Sequence, residues 1–127
     1  MATQSDVHRI ALGFPETSEV KGRFAFGVMN KGKIKEFAWV WMERVTPKKP
    51  RVANPAVLAV RVANVSAREV YIAAAPAKFF TEPHYANFPA VLLRLAAVRV
   101  PELRALLTDA WECQAPSTLK KALLRDV

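Results

Sequence analysis

The feature that most limits how this chain can fold is an apolar segment followed at once by an amphipathic helix, within residues 79–114. Residues 90–98 read as an extended strand, with the larger aliphatic side chains on one side and Arg94 on the other. Pro101 suits the first turn of a helix. The residues after it place an apolar stripe on one helix face: Leu103, Leu106, Leu107, Ala110 and Trp111. This stripe predicts a helix that faces the core.

A second pattern, of period two, predicts a β-hairpin near the N-terminal third of the chain. It begins at Arg23, and the residues Asn30 to Lys33 form its turn, with Asn30 and Gly32 able to adopt positive φ. The return strand runs from Ile34 to about Val45 and places Phe37, Trp39 and Trp41 on one face. Because both faces of this strand are largely apolar past Phe37, we expect it to be central in the sheet.

The remaining elements complete an α+β pattern. A helix capped by Ser5 opens the chain, and residues 46–55 form a loop that contains three prolines. A third strand covers residues 57–63, and a short helix with a capping box begins at Ser66. A last helix begins at Ser117 or Thr118. Antiparallel strands with helices gathered on one side indicate an α+β fold, in a single domain spanning residues 1–127.

Several features of the sequence argue against a membrane-spanning or secreted protein. Arg94 interrupts the best candidate for a membrane span, and the N-terminal residues lack the charged and apolar regions of a secretory signal. The single cysteine, Cys113, cannot form an internal disulfide or a metal cluster alone. A reducing cytoplasm fits these properties.

Charge gives the first indication of function. The net charge is +8, and residues 21–51 contain nine basic residues against two acidic ones. Such clustering favours a polyanionic partner such as nucleic acid. The candidate phosphate contacts lie in the hairpin and the following loop: Arg23, Lys31, Lys33, Lys35, Lys48, Lys49 and Arg51. The alternative is that these residues form a solvated positive surface.

Two further arginines, Arg61 and Arg94, lie within strands and point away from the Val/Leu face. They could form the positive floor of a sheet surface, or each could pair with a carboxylate such as Glu36, Glu43 or Glu69. The nearby tryptophans could stack on bases, but their spacing with Phe37 favours one packed core layer.

The chain offers few groups for catalysis. A nucleophile could be assembled only from His84, Tyr85 and Cys113, and Cys113 lies near a helix C-terminus, where the dipole raises rather than lowers its pKa. No Gly-rich phosphate loop, HExxH, CxxC or GxSxG motif is present. We therefore expect no enzyme activity, no metal and no cofactor.

Four segments together resemble the MmcQ/YjbR-like family of small bacterial proteins: SDVHRIALGFPETSE, KGKIKEFAWVWM, FFTEPHYANFPAVLLRLAAV and PELRALLTDAWECQAPSTLKKAL. The resemblance implies a curved antiparallel sheet with a shape likened to the double-wing DNA-binding domain of a phage transcription activator. Members are commonly labelled DNA-binding, which implies a role in transcription regulation. The more frequent form of the family has a Lys and a Trp after the loop histidine, whereas residues 86–92 fill that region here.

Two functional hypotheses follow. The first is a DNA-binding protein that contacts phosphates without sequence preference, because both long helices face the core and neither is a recognition helix. The alternative is a protein-interaction or small-ligand module that uses the aromatic loop 79–88, with Phe80, His84 and Tyr85 as the candidate ligand residues.

Overall fold

One antiparallel sheet organises the molecule, and four α-helices accompany it. The structure is a computed structural model; it describes residues 1–125, with side chains described through residue 121. The strands are β1 (Thr17–Glu19), β2 (Ala25–Asn30), β3 (Lys33–Glu43), β4 (Val52–Arg61), β5 (Phe79–Phe80) and β6 (Ala90–Arg94). The helices are α1 (Gln4–Leu12), α2 (Val65–Ala74), α3 (Val100–Gln114) and α4 (Ser117–Arg125), with 3-10 turns at Pro83–Tyr85 and Leu95–Ala97. The six strands lie in the order β1-β2-β3-β4-β6-β5, so β3 and β4 are central.

The main core lies between the helices and one face of the sheet, which we call the helical face. Leu103, Leu107, Ala110 and Trp111 of α3 are fully buried there, as the stripe predicts. The core also takes up side chains of α1, β2, β3, β4 and β6, among them Val7, Ile10, Phe26, Phe37, Leu58 and Leu93. Burying each of these larger side chains contributes roughly 2 kcal/mol. The expected α+β fold, with helices on one side of a curved sheet, is confirmed.

A β-bulge in the hairpin decides which face each aromatic residue of β3 occupies. Phe26 pairs with Ala38, but Gly27 pairs with Glu36, so Phe37 is the extra residue on β3. Phe37 and Ala38 therefore both join the helical core, and Trp39 falls on the opposite face. The prediction that Phe37, Trp39 and Trp41 form one core layer is wrong, because the bulge reverses the alternation that it assumed.

The strand β4 begins earlier than the sequence suggests. It starts at Val52, inside the segment expected to be a loop, and a second irregularity follows: Val40 pairs with Leu58 but Trp41 with Asn54. The three residues between Asn54 and Leu58 are left out of the pairing with β3, although Val57 pairs with Arg94 of β6. Pro55 is among them, which fits its inability to donate a backbone hydrogen bond. The proline thus marks a bulge rather than the end of a loop.

Two helix starts also differ from expectation. Thr3, not Ser5, caps α1, and its capping box is completed by Asp6. Asn64, not Ser66, caps α2 by accepting a hydrogen bond from Ala67. Asn is as good a cap as Ser, so the sequence contains two competing signals close together at each start.

Other boundaries shift because the elements are short. The strands β1 and β5 have three and two residues and give no periodic signal. The last large strand ends at Arg94, where a 3-10 turn replaces the extended backbone predicted to reach Val98. In the hairpin turn, positive φ is found at Lys31 and Gly32 rather than at Asn30. No helix in the described part of the chain combines the length and apolarity needed to cross a bilayer.

Candidate nucleic-acid interface

The other face of the sheet, which we call the open face, carries a smaller apolar cluster. Val57, Ala59 and Leu92 are buried there, and four partly buried aromatic residues pack on them: Trp39, Trp41, Phe80 and Tyr85. Within residues 1–121 this cluster contains no α-helical residue. The cover over this face is therefore the connection between β5 and β6, residues 81–89, rather than a helix.

A buried arginine holds that connection in place. The side chain of Arg68, on α2, is only 5% exposed, and its guanidinium donates to the backbone oxygens of Tyr85, Ala86 and Phe88. Its Nε also donates to Glu69 at 2.9 Å. An arginine can satisfy several carbonyls at once because its donors form a fixed planar fork. Sequence patterns did not single out Arg68, because next to Glu69 in the helix sequence it looks like an ordinary surface residue.

The aromatic residues of the loop and of β3 contact one another. Trp39 Nε1 donates to the Tyr85 hydroxyl at 3.2 Å, and the Trp39 and Phe88 rings meet edge to face with centroids 6.0 Å apart. Farther along β3, Trp41 and Phe80 pack edge to face at 5.4 Å. These geometries are favourable for aromatic pairs. Phe88 is still 41% exposed, so the row presents a ring at the surface.

Arg61 and Arg94 lie on these rings. The guanidinium carbon of Arg61 is 5.5 Å from the centroid of Phe88, and that of Arg94 is 4.2 Å from the centroid of Phe80. Neither forms an ion pair with a described carboxylate, so the alternative that they pair with acidic residues is wrong. Cation–π contact keeps the charge of each guanidinium available, because the ring neutralises none of it.

Arg23 and Arg51 add charge next to the same surface. Arg23 forms an ion pair with Glu36 at 2.9 Å. Arg51 donates to the backbone oxygen of Met42 at 2.9 Å and lies 3.5 Å from Glu82. Four arginines therefore share this face with two carboxylates, which leaves a positive excess.

Two adjoining cavities open on this face. The first, of about 300 Å³, is lined by Arg23, Trp39, Met42, Arg51, His84, Tyr85 and Phe88. The second, of about 290 Å³, is lined by Ile34, Glu36, Trp39, Arg61, Phe88 and Gln114. Because Trp39 and Phe88 belong to both, they form the wall between the cavities. We call the two cavities and this wall the aromatic groove.

The structure brings some of the candidate residues together and separates others. Arg23, Arg51, Arg61, His84 and Tyr85 all line the aromatic groove, and Arg94 and Phe80 lie farther along the open face. The lysines lie elsewhere. Lys31 and Lys33 flank the β2–β3 turn and Lys35 follows on β3, whereas Lys48 and Lys49 lie in the β3–β4 loop; all five are exposed. The hairpin turn and this loop are at opposite ends of β3, about 30 Å apart at ~3.3 Å per residue.

The groups considered for catalysis are not assembled. Cys113 lies on α3 and is not among the residues that line the cavity of His84. Burial raises the pKa of the Cys113 thiol, with Asp109 and Glu112 adding to the shift and Arg61 and Lys120 opposing it. Within the described residues, no three His, Cys, Asp or Glu side chains are grouped so that they could hold a metal ion.

The fold and the groove define a small α+β protein in which one face of the sheet is lined with arginine and aromatic side chains. No family model matches the chain. Uncharacterized protein Rv2570 of Mycobacterium tuberculosis H37Rv is 38% identical to it over 133 residues, covering 98% of this chain and 97% of that protein. Uncharacterized protein Mb2600 of Mycobacterium bovis matches to the same extent. The chain belongs to the same family as these mycobacterial proteins.

A solved structure supports the fold independently. The crystal structure of Deinococcus radiodurans DR2400, a DUF419 domain, superposes with a TM-score of 0.62 over 87% of this chain and 77% of that one. DUF419 is the MmcQ/YjbR-like family that the sequence resembles. At 19% identity the likeness shows the fold alone.

Proposed function

We propose that this chain is a DNA-binding protein of the MmcQ/YjbR-like family that contacts phosphates without base preference. The observation that carries the proposal is the grouping of Arg23, Arg51, Arg61 and Arg94 on a sheet face that no described α-helix covers. Arginine is suited to phosphate because its fork can donate two hydrogen bonds to one group. The exposed lysines at both ends of β3 extend the positive surface beyond the groove.

The arrangement changes which residues are expected to matter most. The sequence places the phosphate contacts on the protruding hairpin and loop, where the lysines are. In the structure the arginines are concentrated at the aromatic groove, in a partly enclosed setting where a charge is screened less by water and salt. We therefore assign the arginines the larger share of the binding free energy and the lysines mainly a share of the salt dependence.

The test is fluorescence anisotropy of labelled single-stranded DNA against the wild-type chain and an Arg51→Ser/Arg61→Ser variant, from low to physiological salt. For wild type we expect dissociation constants of about 10⁻⁴ to 10⁻⁶ M at physiological salt. The variant should bind more weakly and lose about two phosphate contacts from its salt slope. The matched control, Arg104→Ser/Lys121→Ser, removes the same charge from exposed positions on α3 and α4. Equal losses in both variants would show that net charge, not this face, is responsible.

A second candidate function is a small-ligand module at the loop 79–88. Its support is two buried polar atoms without a hydrogen-bond partner in the described chain, namely Trp41 Nε1 and Thr81 Oγ1. Such groups are costly when unpaired, and a polar ligand that reached them would recover that cost. Thermal stabilisation of the chain by a small-molecule library, with no binding of DNA at low salt, would favour this candidate.

The proposed role is binding rather than catalysis, in the cytoplasm. The support for binding rather than catalysis is that Cys113 and His84 line no common cavity of the aromatic groove. A raised thiol pKa also works against nucleophilic use of Cys113, because the thiolate is the reactive form.

A further inference from the structure

We propose that the aromatic groove binds single-stranded DNA, with unpaired bases entering the two cavities beside Trp39 and Phe88. This inference rests on the proposed DNA-binding function and specifies the form of DNA that the site takes. It is carried by the juxtaposition of three features: two small cavities, an aromatic wall between them, and arginines at the rim of each.

The size of the cavities fits single planar rings. At about 300 and 290 Å³ they lie at the lower end of the roughly 300–1,000 Å³ range of small-molecule pockets. Each is too small for a segment of polymer, but each can take one base. The shared wall of Trp39 and Phe88 places an aromatic side chain against both cavities. Stacking on aromatic side chains is tolerant of sequence, since every base has a π-face.

The rims provide partners for both parts of a nucleotide. Arg23 and Arg51 lie at the first cavity and Arg61 at the second, where they can reach the phosphates on either side of an inserted base. His84 in the first cavity and Gln114 in the second offer polar groups to base edges. Gln114 is held in position, because its Nε2 donates to the Glu36 backbone oxygen at 3.0 Å. Charge thus favours an anionic strand over a neutral or basic partner.

A duplex fits this face poorly. In a duplex the bases are paired and stacked on one another, so they cannot enter cavities or stack on protein rings. The side chain of Arg51 is only 24% exposed, and the guanidinium carbon of Arg61 lies 5.5 Å from the centroid of Phe88. Both are set back among their neighbours, whereas phosphates of a wide, stiff duplex are met best by protruding side chains. A duplex would therefore contact chiefly the exposed lysines.

The first measurement compares three labelled probes with wild-type protein at one salt concentration: an oligothymidine of about 12 nucleotides, an abasic strand of the same length, and the matching duplex. The abasic strand keeps the phosphates and removes the bases. We expect the oligothymidine to bind roughly 5- to 150-fold more tightly than the abasic strand, the equivalent of one stacked base, and more tightly than the duplex.

Equal affinities for the thymidine and abasic strands would overturn this inference while leaving phosphate binding intact. Absence of binding to all three probes at low salt would overturn both the inference and the proposed function. An oligouridine bound more tightly than the oligothymidine would overturn the assignment to DNA.

Variants then place the bases at the groove. Phe88→Ala removes the exposed ring and should weaken oligothymidine binding roughly 5- to 150-fold without weakening abasic binding. Val70→Ala on α2 is the control, since Val70 is 68% exposed and far in sequence from the groove. A single-tryptophan protein with Trp41→Phe and Trp111→Phe should show quenching of Trp39 emission by oligothymidine but not by the abasic strand. Unchanged emission with a bound strand would show that the bases lie elsewhere.

Discussion

At the scale of single residues, Arg68 is the side chain on which the aromatic groove depends most. It is 4% exposed, and three backbone oxygens of the loop over the open face accept its hydrogen bonds. Buried carbonyls that lose a charged donor are left without a partner, at a cost of about 1–3 kcal/mol each when water cannot replace it. The position of Phe88 and Tyr85 is thus set from α2, outside the groove itself.

We predict that Arg68→Met lowers the free energy of unfolding by about 3 kcal/mol, measured by urea denaturation. Methionine keeps the apolar stem and removes all five donors. Arg68→Lys keeps the charge but not the planar fork of donors. Its free energy of unfolding should lie between those of Arg68→Met and wild type. The loop should also lose protection in hydrogen exchange at Phe88 and Ala86. A loss no larger than that of the exposed Arg104→Met would show that Arg68 does not hold the loop.

Local orientation was predictable at the residue scale, but side-chain partners were not. Strand alternation correctly placed Arg61 and Arg94 on the face opposite the valine and leucine side chains. Their actual partners, Phe88 and Phe80, come from the β5–β6 segment, which folds over the sheet only in the tertiary structure. A sequence pattern of period two carries no information about such a distant segment, and nearby carboxylates were the natural but wrong guess.

At the scale of elements, strong periodic segments were predictable and irregular ones were not. The stripe of α3 and the hairpin of β2 and β3 follow from spacing alone, because each is long enough for its period to be read. The bulge at Phe37 inserts one residue and reverses the faces of everything after it. The local signal of that bulge is weak: Gly27 is opposite it, and its missing Cβ leaves room for Ile34, which an added Cβ would approach to 2.4 Å. The placement of Trp39 in the groove depends on this one insertion.

The hairpin turn offers a stabilising substitution. Lys31 has φ of 53° and Gly32 of 80°, so both central residues are in the left-handed region. A turn of this kind favours Asn-Gly, because Asn adopts positive φ at lower cost than Lys. We predict that Lys31→Asn raises the free energy of unfolding by roughly 0.5–1 kcal/mol, measured by thermal and urea denaturation. Lys33→Asn, which removes the same charge at a residue without positive φ, is the control. Equal gains from both would assign the effect to charge rather than to the turn.

At the scale of the whole molecule, the candidate phosphate contacts are divided among three places. Their arginines lie at or beside the groove, while their exposed lysines lie towards the two ends of β3, about 30 Å apart at ~3.3 Å per residue. The sequence shows the excess of positive charge and the segment that carries it, but not this division. Lys31 and Lys48 are separated because the long strand β3 lies between them. A ligand that contacts both ends must therefore be long, and a short one meets the groove and at most one end.

This division predicts how binding depends on ligand length. With an oligothymidine of about 20 nucleotides, Lys31→Ser/Lys33→Ser and Lys48→Ser/Lys49→Ser should each reduce the salt slope by roughly 1.4, at ~0.7 per phosphate contact on a single strand. The quadruple variant should lose about twice that amount. An oligomer of about three nucleotides, even when fully extended, is shorter than the ~30 Å between the two lysine ends, so it reaches from the groove to one end at most.

For that short oligomer the quadruple variant should lose no more slope than the more affected double variant. Additive losses with the short oligomer would contradict the division, because they would require both ends to contact one short strand. If the lysine variants lose no salt slope even with the long oligomer, the arginines alone contact the strand. The length at which the two effects become additive gives the separation of the lysine ends in solution, since only a strand that spans β3 can contact both.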